Sequence, residues 1–204
     1  MTRYDVTSAE GEFEPGSDRR VLRNLVGIRE PDDMDQLELE LLGLLYDAVV
    51  IEDLPEQQLT VADLVTWHRR WLGNVYPWAG QFRQVNMSKG DFMFAAAPQI
   101  PRLMATFENQ CLSRWTPCQG LAGDALTQAI AITHVELILI HPFREGNGRL
   151  SRLLADVMAM QAGHEPLDYS SWDREKDRYI QAIHAGLAGD YAPMQARVRL
   201  AFGQ

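Results

Sequence analysis

Residues 129–140 read AIAITHVELILI, and no other stretch of the chain restricts the fold as strongly. A helix that is apolar nearly all round must be covered on every side, so the helix predicted over 121–140 belongs at the centre of the molecule. The cover is legible as further helices. From Asp35 the segment LELELLGLLYDAVV places Leu37, Leu41, Leu44 and Leu45 at helical spacing. Thr60 and Asp63 read as the cap and first turn of a helix through TVADLVTWHRRWLGN, with Leu64, Trp67, Trp71 and Leu72 on its apolar face and His68 among arginines at its edge. Helical patterns also span 101–115, 148–161, 173–187 and 191–202, the second carrying Leu150, Leu153, Leu154, Val157 and Met158 as a stripe.

One segment breaks the pattern. In VYPWAGQFRQVNMSKGDFMFAAAP, Pro77 and Gly80 end a helix, and Lys89-Gly90-Asp91 separates two short β-prone runs, which reads as a hairpin. The expected fold class is therefore mainly α: a helical bundle with one small β-hairpin and a loop held between two central helices. Residues 1–31, rich in Gly, Pro, Ser and charge, read as an arm anchored by Val21, Leu22, Leu25 and Val26, and residues 32–204 as a single domain. A chain of 204 residues buries one sizeable core and is too short for two ordinary domains and a linker.

With 19 Lys and Arg against 28 Asp and Glu, the net charge of -9 repels a phosphate backbone, so no direct nucleic-acid partner is expected. A small anion is another matter, because short charge-assisted hydrogen bonds from Arg144, Arg149 and Arg152 act below the range of the screened global field. Cys111 and Cys118 lack metal-site spacing and read as reduced structural thiols. The N-terminal segment has no apolar stretch of signal-peptide length, and no uncharged run reads as a membrane span, so the expected location is the cytoplasm, with no membrane partner.

After the central helix comes His141-Pro142-Phe143-Arg144-Glu145-Gly146-Asn147-Gly148-Arg149, continuing Leu150-Ser151-Arg152. Pro142 disfavours helical geometry at His141, so the helix ends there and leaves the imidazole at a loop edge as a candidate base. Gly146 and Gly148 clear side chains from the start of the next helix, where unpaired N–H groups suit a phosphate. Asn147 adds an amide donor, Arg149 and Arg152 share one side of that helix, and Glu145 is the one carboxylate for a metal such as magnesium. Phe143 is expected to be buried, pinning the loop. The combination points to a phosphate or nucleotide site; a plain helix-capping loop is the alternative.

HPFREGNGRLSR resembles the signature of the Fic (filamentation induced by cAMP) family, His-x-Phe-x-Asp/Glu-Gly-Asn-Gly-Arg-x-x-Arg, at every specified position. The likeness extends to HRRWLGNVYPWAGQFR and MSKGDFMFA, which resemble the family's approach helix and its hairpin flap. It implies a protein adenylyltransferase that moves AMP from ATP to a Ser, Thr or Tyr hydroxyl. His141 would be the base and Glu145 the ligand of Mg2+ or Mn2+. Gly146, Asn147 and Gly148 would cradle the phosphates, while Arg149 and Arg152 neutralise the leaving diphosphate. Tyr179 resembles a position near the adenine. The flap would be Met87, Ser88, Lys89, Gly90, Asp91, Phe92, Met93 and Phe94, pairing with an extended segment of the target. His134 and His184 read as structural.

Many members of the family restrain themselves with a helix of the form Ser/Thr-x-x-x-Glu-Gly/Asn. Here Glu precedes Gly or Asn at Glu10, Glu108 and Glu145, with Val6, Met104 and His141 four residues earlier, so no copy is encoded in this sequence. That departure implies a small antitoxin-like inhibitor in trans, aimed at Arg152, and a toxin whose target resembles a type II topoisomerase subunit. Alternative expectations are another donor (UMP or phosphocholine), removal of AMP, a Doc-like kinase, or a non-catalytic module that binds nucleotide and peptide. Gly148 speaks against the kinase, which carries Lys there.

Overall fold

The computed structural model describes residues 12–203 together with the backbone of residues 5–6. The elements run β1 (Asp5–Val6), α1 (Pro31–Tyr46), α2 (Val61–Leu72), β2 (Met87–Lys89), β3 (Phe92–Met93), α3 (Ile100–Phe107), α4 (Ser113–Trp115), α5 (Gly123–Ile140), α6 (Asn147–Gln161), α7 (Ser170–Arg174), α8 (Lys176–Ala185) and α9 (Ala192–Ala201). The mainly helical class is thus observed. The start of α2 shows why the local reading works: the Thr60 hydroxyl accepts from the Asp63 N–H, and the Asp63 carboxylate accepts from the Thr60 N–H, a reciprocal cap that satisfies two donors.

α5 occupies the centre and packs most extensively on α6 and α9. It is the one helix among the described residues long and apolar enough to cross a membrane, which amends the expectation that no segment qualifies; most of it is buried by the fold. Around it Leu126, Ile130, Val135, Leu150, Leu153, Val157, Trp172, Met194 and Val198 form the core. Cys111 and Cys118 are buried free thiols, and burial pushes both up to about 12, consistent with the inert reading.

Three expectations need correction. The buried stripe of α1 is Met34, Glu38, Leu42 and Leu45; of the predicted leucines Leu45 is buried and Leu37 and Leu41 pack half-buried on the core, but Leu44 is 65% exposed. The cause is that Trp71 and Tyr76 offer polar atoms to Glu38, so α1 turns a carboxylate inward. The helices predicted over 101–115 and 173–187 are interrupted, the first by a wider π-type turn at Glu108–Leu112 and the second at Glu175, which leaves helical geometry between α7 and α8. His68 is fully buried, not at an arginine edge.

The hairpin is wider than expected. β2 pairs antiparallel with β3, matching Ser88 to Met93 and Lys89 to Phe92, and β1 adds antiparallel to the other edge of β2, matching Asp5 to Ser88 and Val6 to Met87. The arm anchors through buried Val21 and a bridge between Phe13 and Leu22, while Leu25 is 62% exposed. The rest of the arm reading falls on residues 1–4 and 7–11, outside the described residues.

Candidate active site

His141 caps α5 in the left-handed conformation, φ 52° and ψ 59°. For a residue with a Cβ this costs about 1–3 kcal/mol and persists only where neighbours hold it. Here the holder is Arg83, which lies outside every expected site residue. Its Nε donates to the His141 carbonyl at 2.7 Å, its Nη2 to those of Ile140 (3.3 Å) and Ala95 (2.5 Å), and its Nη1 to that of Val85 (2.5 Å). Its backbone N–H reaches the Pro142 carbonyl at 2.9 Å. One buried arginine therefore ties three successive carbonyls at the end of α5 to the stems on both sides of the flap.

The His141 ring lies against Phe94, with centroids 3.8 Å apart and planes 21° apart. Its Nδ1 is 3.2 Å from the Ile138 carbonyl, which accepts only. The proton of the neutral ring therefore sits on Nδ1, and Nε2 is the basic nitrogen. This is the tautomer a general base needs.

Behind the loop, Phe143 is fully buried as expected and stacks on His68 at 4.0 Å. Desolvation pulls the His68 imidazole down to about 4, so it is neutral. Its Nδ1 accepts from the Gly80 N–H at 2.8 Å, leaving Nε2–H to donate to the Glu145 carbonyl at 3.1 Å. Asn147 closes the turn from within: its Oδ1 accepts from the Phe143 N–H (2.8 Å) and its Nδ2 donates to the Phe143 carbonyl (2.7 Å). The side chain expected to donate to a phosphate is thus engaged in shaping the loop.

The two glycines differ in cause. Gly146 has φ 81°, and a Cβ there would lie 2.6 Å from the Trp71 ring; Gly148 has open space around the same position. Gly146→Ala is expected to destabilise the fold by about 2–5 kcal/mol, combining left-handed strain and overpacking. Gly148→Ala should leave the melting temperature near wild type yet weaken ADP, since its methyl would enter the cavity. Thermal melts and ADP titration of both variants check this; equal melts would refute the distinction.

That cavity, about 220 Å³, is lined by His141, Glu145, Gly146, Gly148, Arg149 and Tyr179, together with Lys89, Phe92, Phe94, Ile138, Ile180, Ile183 and His184. Of the expected site residues, those of the loop and flap named here meet at the cavity, whereas Asn147 and Arg152 do not line it. Not all flap residues face it: Met87 is buried and Met93 is 59% exposed. His184, expected to be structural, lines the cavity and stacks on Phe92 at 4.5 Å, because α8 carries it to the flap. His134 does behave structurally. Burial lowers it to about 4, and its Nε2 lies 2.8 Å from the Tyr179 hydroxyl, bracing that residue from behind.

Arg144 and Arg149 share the lining of one cavity, but Arg152 does not join them there. Arg144 is buried and lines cavities on the far side of the loop. Arg149 ion-pairs with Glu38 and lies over the Trp71 ring. Arg152 pairs with Asp173 at 2.7 Å and lies over Tyr169, 4.9 Å from the ring centroid. Since Asp173 is largely exposed, that pair is weak enough for a stronger anion to exchange.

The end of α5 at His141, the N-terminus of α6 and the hairpin thus meet at one cavity on a helical scaffold. The sequence pattern of the Fic/DOC family matches residues 58–159. The chain is 31% identical over 199 residues to the probable protein adenylyltransferase y4lH of Sinorhizobium fredii, covering 98% of each. It is 32% identical over 139 residues to the protein adenylyltransferase Fic of Drosophila ananassae, of whose length it spans about a quarter (27%). In fold it is similar to the BepC protein of Bartonella tribocorum, a VirB-translocated effector solved with bound AMPPNP, at TM-score 0.71 and 23% identity, covering 88% of this chain and 91% of that one. The chain belongs to the Fic/DOC family.

Proposed function

We propose that this chain transfers AMP from ATP to a hydroxyl side chain of another protein. The observation that carries the reading is His141, a residue lining a cavity that begins at the N-terminus of α6, whose buried Nε2 is the basic nitrogen of a fixed tautomer. The target hydroxyl oxygen attacks the α-phosphorus, its proton passes to His141 Nε2, the bond to the β-phosphate bridging oxygen breaks, and diphosphate leaves. The first-turn N–H groups of α6 and the guanidinium groups of Arg149 and Arg152 take up the developing charge.

Glu145 is the protein carboxylate lining this cavity, and among the described residues no group of three or more His, Cys, Asp or Glu side chains forms a metal site by itself. One carboxylate with phosphate oxygens suits Mg2+ or Mn2+, which when bound neutralises phosphate charge. The flap would hold the target by strand addition. β1 takes one edge of β2, so the outer edge of β3 is the one open for it among the described residues. An inhibitor in trans, presenting a glutamate to Arg152 in place of Asp173, completes the reading as the toxin of a toxin–antitoxin pair.

Incubation with α-labelled ATP, Mg2+ and a bacterial lysate tests the activity. A labelled protein band is expected, with weaker transfer from UTP and CDP-choline. Retained ADP binding with no label from any donor would instead support a non-catalytic nucleotide- and peptide-binding module.

A further inference from the structure

We infer that Glu38, on α1 and outside the residues matched by the family pattern, is a positioning residue that keeps Glu145 available to a metal ion by holding Arg149 away from it. Both carboxylates accept from the same nitrogen of Arg149. Nη2 donates to Glu38 Oε2 in a very short ion pair, while Glu145 Oε1 lies 3.4 Å away at a marginal distance. The guanidinium is thus committed mainly to one of two competing partners.

The commitment has a structural basis. Glu38 is 2% exposed, its Oε1 accepts from the Tyr76 hydroxyl at 2.7 Å, and its own carbonyl accepts from Trp71 Nε1 at 2.8 Å. Trp71 is also the ring beneath Arg149 and the wall against which Gly146 packs. Tyr76, Glu38, Arg149 and Glu145 therefore form one continuous chain of interactions running from α1 to the loop. Desolvation raises the Glu38 carboxyl above its usual range, and the Arg149 charge beside it opposes that shift. Arg149 and Glu145 separate two cavities: the one beside His141, and a second of about 410 Å³ under the N-terminal arm, which Glu38 also lines.

If the Glu38 charge is removed, Glu145 is the carboxylate left in reach of the guanidinium among the described residues. Arg149 closes on Glu145, neutralises it and weakens its hold on a cation. Loss of a partner at this remove lowers metal affinity on the order of tenfold. The inference rests on the nucleotide site proposed above, with Glu145 as its metal ligand.

The test is the factor by which Mg2+ tightens ADP, measured by calorimetry in Mg2+ and again in EDTA, with no turnover involved. Glu38→Gln is expected to shrink that factor about tenfold. The double variant Glu38→Gln with Arg149→Met should restore it, because the Arg149 guanidinium is then no longer there to close on Glu145. Any hydrogen bond that Arg149 gives to a phosphate is missing from that variant in both buffers, so its effect on ADP cancels in the ratio. An unchanged factor in Glu38→Gln, or no recovery in the double variant, overturns the inference alone. Should Glu38→Gln not fold, Arg149→Met decides: its Mg2+ factor must equal or exceed that of wild type. Failure of the wild type to bind ADP in either buffer would remove the nucleotide reading and this inference with it.

Discussion

Label transfer from α-labelled ATP is expected to fall by about 10²–10⁴-fold when His141 is replaced by Asn, with ADP binding kept. The choice of Asn follows from the backbone. His141 sits at φ 52°, where Asn is tolerated and Ala is strained, so His141→Ala mixes loss of the base with a local folding defect. Asn has no basic nitrogen, and its amide oxygen cannot hold the proton that leaves the target hydroxyl. Of the other proton acceptors lining the cavity, Glu145 belongs to the proposed metal and the His184 ring is stacked on Phe92. The phosphate-binding parts belong to α6 and are untouched. Intact ADP affinity with lost transfer would therefore locate His141 in the chemistry, whereas His141→Asn with wild-type transfer would refute its role. His141→Ala should match it in rate and melt lower by a few degrees.

How much of this is legible in the sequence follows from where each cause lies. Whereas the glycine at 146 is required in part by Trp71, far earlier in the chain, the cap at Thr60 and the end of α5 before Pro142 have causes within a few residues and are readable. So is the meeting of the loop with the flap, through the resemblance of the two motifs. Glu38 is hidden in LELELLGLL, where leucine outnumbers glutamate and nothing local says that the glutamate turns inward; its partner is 111 positions away. The same holds for Arg83, which reads as part of a hairpin approach and whose acceptors at Ile140 and His141 are 57 and 58 positions on. For His68 and His184 the helical pattern alone is available. A pattern gives the face of a helix, not the ring that a second element lays against it, and so it misses both Phe143 on His68 and Phe92 on His184. The basic triplet misleads for a related reason. Arg144, Arg149 and Arg152 are close in sequence, but only Arg144 and Arg149 line one cavity, while Arg152 pairs with Asp173.

Arg83→Lys is expected to be nearly as damaging to transfer as a change in the loop itself. Arg83 is 3% exposed, and its guanidinium donates to four carbonyls, those of Val85 and Ala95 on the flap stems and of Ile140 and His141 at the end of α5. Desolvation and the nearby Arg144 charge pull its guanidinium down to about 10, which still leaves it protonated at neutral pH. The negative end of α5 is a fitting place for that charge. Lysine keeps the charge but has a single nitrogen with three donors on a flexible stem, and it cannot span His141, Val85 and Ala95 together. Two carbonyls left buried without a donor cost about 2–3 kcal/mol, or a fall in melting temperature of roughly 4–12 °C for a chain of this size. The kinetic loss should be larger than stability alone implies. Without the fork, the left-handed backbone at His141 loses its support and the flap loses its fixed height above the imidazole, and a displacement near 1 Å costs on the order of 10²-fold in rate. ADP affinity in EDTA should change little, because the acceptors of this arginine all lie outside α6. Thermal melts, single-turnover label transfer and ADP titration separate these effects. A variant that melts and transfers like wild type would show that the carbonyls find other donors, and that His141 holds its strained conformation without Arg83.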